Sequence, residues 1–289
     1  MVNRINLRAI WNTARSEFIK WVTNPRIIIV GVMLVFIKGF AVTPLLERAQ
    51  QYGEPLNVLE PFIAVCQSGI LVMFMPCVFL LLISDFPIMG GNTLFFISRT
   101  GRLNWFLGQV LFMIMSIFSY IGFILVSCMA MSKGAFSRSW SDSITKFDAV
   151  FPEDAGGVVS ELLPSNLYNQ MSITTAFRRI TLLLAMYLFL LAMILSVMKM
   201  LYLRGAGLFA VFTVIALGVT ACALKVQSMW YFPMANTIVW LHYKELLREP
   251  VTPVSDSFIY FFAVITAVVL LNFTVLLRMQ FINIEQEGS

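Results

Sequence analysis

Long apolar runs separated by short polar stretches dominate this chain. At about 1.5 Å of rise per residue, a helix needs about 20 apolar residues to cross roughly 30 Å of hydrocarbon. Six runs satisfy that: 27–46, 61–83, 105–131, 180–198, 206–224 and 258–277. The pattern predicts an all-α integral membrane protein with six transmembrane helices. The third run is long enough to tilt or to protrude at one end. In the second, Pro76 removes the hydrogen bond to the Val72 carbonyl, which predicts a kink there.

A different pattern precedes the first run, over residues 1–26. Leu7, Ile10, Trp11, Ala14, Phe18 and Trp21 recur at three- and four-residue spacing, while Arg4, Arg8, Asn12, Arg15 and Lys20 take another face. Such a basic amphipathic helix with tryptophans on its apolar side suits the headgroup plane. Periodicity does not separate that placement from packing on a partner. Asn24-Pro25 then turns the chain into the bilayer, because a residue before proline disfavours helix. No small-x-small cleavage site follows the next run, so the N-terminus reads as retained. Residues 132–179 form the one sizeable polar region, with serines at 137, 139, 141 and 143 and breakers at Pro152, Gly156, Gly157 and Pro164. Its length and breakers predict an ordered cap with one or two short helices, or a partly mobile loop, rather than a domain.

Composition sharpens the membrane reading. Of 289 residues, 59% are hydrophobic and 12% charged, against about 45–50% and about 25% in soluble domains. The net charge of +5 fits basic segments meeting anionic headgroups. No basic block with interleaved aromatics points to nucleic acid. Lysines and arginines cluster before the first run, which orients both termini toward the cytoplasm of a cell membrane. The four cysteines (Cys66, Cys77, Cys128, Cys222) lie in or beside apolar runs, without C-x-x-C spacing, and read as buried small hydrophobes.

Candidate chemistry is sparse. The chain lacks a P-loop, an H-E-x-x-H and a G-x-S-x-G, and its single histidine, His242, sits among aromatics as a hydrogen-bonded interface residue would. It reads as a non-enzyme without catalytic, cofactor-binding or metal-binding residues. Lys38 is the one charge deep in an apolar run, about 12 Å below the end of its span. It either snorkels to nearby headgroups or faces a wet pathway, where it would attract an anionic group. Gln67 and Asn272 suit interhelical hydrogen bonds. Lys38 and Gln67 are the candidates for a substrate pathway.

The segment between the second and third runs reads D85-F-P-I-M-G-G-N-T-L-F-F-I-S-R-T-G-R-L-N-W-F-L-G-Q109. It resembles the signature region of ABC type-2 permeases, the membrane subunits of two-component ABC exporters. Asp85, Thr93-Leu94, Arg102 and Gly108 match in order. A glycine (Gly90 or Gly91) stands near the family's Glu, and Gln109 replaces its Lys. The stretch Tyr231-Phe232-Pro233-Met234 through Trp240 is similar to the family's re-entrant hairpin before the last span. The resemblance implies that residues 85–103 form a coupling segment, with Asp85, Thr93, Leu94, Phe95, Arg99 and Arg102 meeting a separate ABC ATPase subunit. ATP and Mg would then bind that partner, and a second permease copy or paralogue would complete the pathway. The alternative is a self-contained secondary transporter or channel. That would call for intramembrane acids or discontinuous helices, and the six runs contain no Asp or Glu.

Overall fold

The computed structural model describes residues 5–87, 97, 99–154, 156–201, 203–244 and 249–278. Its described residues are almost wholly helical, with one isolated bridge between Asn57 and Ala135 and no strand. Five helical stretches are long and apolar enough to cross a membrane, and a bent pair makes a sixth if it counts as one. The protein is thus built as a multi-pass membrane protein.

Helix α1 (Leu7–Val22) starts where Asn6 accepts a hydrogen bond from the Ala9 amide. A 3-10 turn, Pro25–Ile27, is capped by Asn24 and leads into α2 (Ile28–Ile37). A π-helical turn, Lys38–Val42, joins α2 to α3 (Thr43–Tyr52), so the helical stretch runs unbroken over Pro25–Tyr52, beyond the expected apolar run 27–46.

The second expected span is not one helix. It divides into α4 (Glu60–Gln67) and α5 (Gly69–Leu82), bent by 84° at Ser68, which is extended (φ −65°, ψ 127°). Pro76 lies within α5, so the major bend is eight residues upstream of the expected kink. The reason is tertiary: partners elsewhere in the chain satisfy the polar groups around the break.

Helix α6 (Arg102–Ser132) leads to the cap, where α7 (Asp142–Thr145), α8 (Phe147–Val150), α9 (Val158–Leu162) and α10 (Ser165–Tyr168) are all short. The cap carries more short helices than the one or two expected. It ends early, because α11 (Ile173–Met200) begins seven residues before the apolar run at 180. Helix α12 (Arg204–Ala223), the short α13 (Pro233–Thr237) and α14 (Val254–Arg278) complete the order.

Helix α11 is the axis of the bundle. Of its most apolar window 72% is buried, against 17% for α14. It packs on α14, α12, α6, α4 and α13. The outward faces of the other helices stay apolar, with Val35 on α2, Phe209 on α12 and Phe262 on α14 all more than 70% exposed. A bilayer solvates such a surface. Between helices in lipid, close packing and hydrogen bonds replace the hydrophobic drive. Asn272 supplies one such bond, donating to the Met193 carbonyl on α11 at 3.0 Å.

The two ends of the bundle are tied differently. At the cap end, the Gly134 backbone crosses Leu56 so closely that a Cβ would stand 2.2 Å from the Leu56 carbonyl oxygen. Asn57 donates to the Ser137 and Ser139 carbonyls. Buried Glu60 accepts from the Asn57 amide and from both the amide and the hydroxyl of Ser141. Buried Arg48 donates to the Ser143 carbonyl and to Asp148, its guanidinium 4.2 Å from the Phe147 ring centre.

At the other end, α1 lies along α6. Ile10, Thr13 and Ala14 face it, whereas Leu7 and Trp11, from the expected apolar face, remain exposed. Contact is closest at Gly108, where a Cβ would lie 2.7 Å from the Thr13 Cβ. The substitution Gly108→Leu should therefore lift α1 from α6 and cost about 1–3 kcal/mol of stability through overpacking. Gly122→Ala, in open space on the same helix, should be neutral or stabilising by up to about 1 kcal/mol. Thermal unfolding in detergent, followed with tryptophan emission from α1, separates the two.

Candidate functional site

Of the residues expected to couple the protein to a partner, those described fall at the end opposite the cap. Thr93, Leu94 and Phe95 lie outside the described residues. Asp85, Arg99 and Arg102 are described, and each does something different.

Asp85 stands just past the end of α5, beside the Phe86–Pro87 peptide, which is cis. Its carboxylate accepts from Arg26 at 2.5 Å, and Arg26 also donates to the Ser84 hydroxyl at 2.7 Å. The Asp85 carbonyl accepts from Lys199 near the end of α11. Asp85 thereby gathers the entrance of α2, the exit of α5 and the end of the central helix. The Arg26 and Asp85 side chains are 41% and 59% exposed, so their ion pair contributes no more than about 1 kcal/mol. It is a joint that can open.

Arg102 opens α6 and reaches across to the last helix, donating to the Leu277 carbonyl at 2.7 Å. A cation there satisfies a terminal carbonyl and complements the negative end of the helix dipole. Arg99 is exposed. Ile97, Trp105 and Phe106 pack with Met193, Met200 and Leu276, so Ile97 and the start of α6 are pinned to α11 and α14 by apolar contacts.

Gln109 belongs to this same region and is 3% exposed. Neither its amide nitrogen nor its amide oxygen has a hydrogen-bond partner among the described residues. Phe86, Trp105, Phe106 and Met193 surround it.

The two pathway candidates part company. Lys38 begins the π-turn and is exposed, with no ion pair among the described residues. Gln67 is fully buried. Its side-chain oxygen accepts from the Val239 amide at 2.7 Å, its amide nitrogen donates to the Cys66 carbonyl at 2.9 Å, and its main-chain carbonyl accepts from Trp240 Nε1 at 3.0 Å. It bolts the break at Ser68 to the stretch Pro233–His242.

That stretch wedges among α11, α12 and α14. His242 is fully buried, its Nδ1 2.8 Å from the Thr252 carbonyl and its Nε2 3.2 Å from the Ser257 hydroxyl. Burial lowers its pKa and outweighs the Thr252 carbonyl, which favours the charged form. It is the hydrogen-bonded interface residue that its aromatic surroundings suggested.

Sequence reasoning missed Arg26 and Lys199 as partners of Asp85. It also missed the break at Ser68, whose only local sign is the Ser68-Gly69 pair. No protein-family model, curated protein or solved structure matches the chain.

Leaving a buried amide unpaired costs about 1–3 kcal/mol. Gln109→Met keeps the volume and removes both polar atoms, so it should stabilise the protein by about 1 kcal/mol or more in a denaturation series. A loss of stability would show that Gln109 has a polar partner in the folded state.

Proposed function

We propose that this chain is the membrane subunit of an ATP-driven exporter of the ABC type-2 kind, with six spans, both termini cytoplasmic, and a separate ATPase subunit. The carrying observation is the convergence on Asp85. At Asp85, α2, α5 and α11 meet through Arg26, Ser84 and Lys199. A partner that pushes on the segment 85–103 moves three helices at once, while Arg102 transmits the same push to the end of α14. Exposed Arg99 is the charge left to greet the partner.

The ion pair at the joint is weak enough to be exchanged for contacts with a partner. A bound ligand shifts a two-state equilibrium only by its differential affinity for the two states, so the ATPase must grip this end differently with and without nucleotide. A second permease copy or paralogue would face the first to enclose the pathway. On this reading α1 lies in the cytoplasmic headgroup plane, with Leu7 and Trp11 toward the lipid and Arg8 and Arg15 toward the phosphates. Pro233–His242 is the re-entrant element.

One observation favours the rival class. The broken pair α4–α5 is the kind of discontinuous helix on which secondary carriers build ion sites. The acid beside it, Glu60, is already taken by three donors from Asn57 and Ser141, so the export reading keeps the better fit.

Asp85→Ala together with Arg99→Glu should leave the fold intact and lower the ATPase activity that co-purifies with the chain by about tenfold or more. Folding is checked by size-exclusion elution and helical content. Undiminished ATPase recovery from the double variant, or solute movement by the purified chain with no ATPase present, would overturn the reading.

A further inference from the structure

The break at Ser68 opens a groove of about 500 Å³ between α5, α12, the hairpin and the cap. That volume is within the range of small-molecule sites. Its walls are apolar: Phe40 from the π-turn, Ile70 and Met73 from α5, Val219 from α12, and Met234 and Ile238 from the hairpin. In a protein whose outer surface is apolar, such a groove is filled with hydrocarbon rather than water.

Two opposite charges line the same groove, Glu161 from α9 and Lys225 just beyond the end of α12. Neither makes an ion pair with a described residue. The first turn of α5 also opens onto it. Ser68 provides no side-chain cap, the turn carries no acid, and the space above Gly69 is empty to 4 Å. Free N–H groups at a helix start attract phosphate oxygens. An apolar trough with a cation, an anion and a helix start at its polar edge is complementary to one class of molecule.

We propose that this groove holds one zwitterionic phospholipid of the surrounding bilayer. Its phosphate meets Lys225 and the start of α5, its ammonium meets Glu161, and an acyl chain lies along Phe40, Met73 and Val219. An anionic lipid would leave Glu161 facing negative charge, and an apolar protein segment would leave both charges unanswered in a dry interface. The site requires only that the chain lies in a bilayer. No ATPase takes part in it, so its failure leaves the export reading standing, and the reverse also holds.

The test uses the full chain, purified from mixed phosphatidylethanolamine and phosphatidylglycerol bilayers, with retained lipid read by native mass spectrometry. One phosphatidylethanolamine should remain bound. Loss of one charge-assisted contact should lower its retention about tenfold in Lys225→Glu, and Glu161→Lys should shift retention toward phosphatidylglycerol. Lys133→Glu, exposed and outside the groove, should change nothing. If the charge variants fail to fold, phosphatidylethanolamine with a photoreactive acyl chain should label peptides around Met73 or Val219 in the unaltered protein. Equal retention of both lipids, or labelling only elsewhere, overturns the assignment. So does a lipid-free dimer in which a second copy covers Ile70.

Discussion

A helix interrupted inside an apolar region must have its polar backbone groups satisfied by protein or by a bound polar group, because hydrocarbon will not do it. The break at Ser68 imposes that demand here, and Gln67 carries most of the answer. Its side chain bonds the backbone at Val239, and its carbonyl receives the Trp240 indole. The stretch Pro233–His242 and the break hold each other in place. Each orphan created by separating them would cost about 1–3 kcal/mol. The groove, the 84° bend and the course of α5 toward Asp85 all descend from this mutual arrangement.

The bundle that results has two unlike ends around one buried axis. At the cap end, Glu60, Arg48 and Asn57 are buried, and each makes several hydrogen bonds into the cap. Taking away one partner there would strand a buried polar group or charge, which makes this end stiff. At the Asp85 end the ion pair of Arg26 with Asp85 is exposed and weak, beside a small buried cluster of Ile97, Trp105, Phe106, Met193, Met200 and Leu276. Helix α11 joins the two, tied by Lys199 to Asp85 and in its second turn by Arg179 to the Tyr243 hydroxyl.

The membrane helices were legible in the sequence because lipid demands long apolar runs, and each expected run falls, to within one residue, inside a helical stretch or pair. Their ends were less so. Helix α11 starts at Ile173 and carries Arg178 and Arg179 in its early turns, where a charge lowers local hydropathy without breaking a helix. Pro76 drew the predicted kink because the rule for proline is local. Ser68 broke instead, because its stabilising partners are about 170 residues away. Asp85 and Arg102 were visible as candidates through the signature pattern. Their partners Arg26 and Leu277 lie 59 and 175 residues away, and no spacing rule reaches that far. Lys38 and Gln67 looked alike, as polar residues in apolar runs, yet one is exposed and the other is a buried bolt.

The central claim is that the Asp85 end faces the cytoplasm and receives the push of an ATPase. Sidedness tests it most directly. In a chain with its four cysteines replaced, Arg99→Cys and Asp142→Cys would be labelled singly with a membrane-impermeant maleimide, in right-side-out and inverted vesicles. The account predicts labelling of position 99 only in inverted vesicles and of position 142 only in right-side-out ones. Labelling of position 99 from the outer face would contradict it.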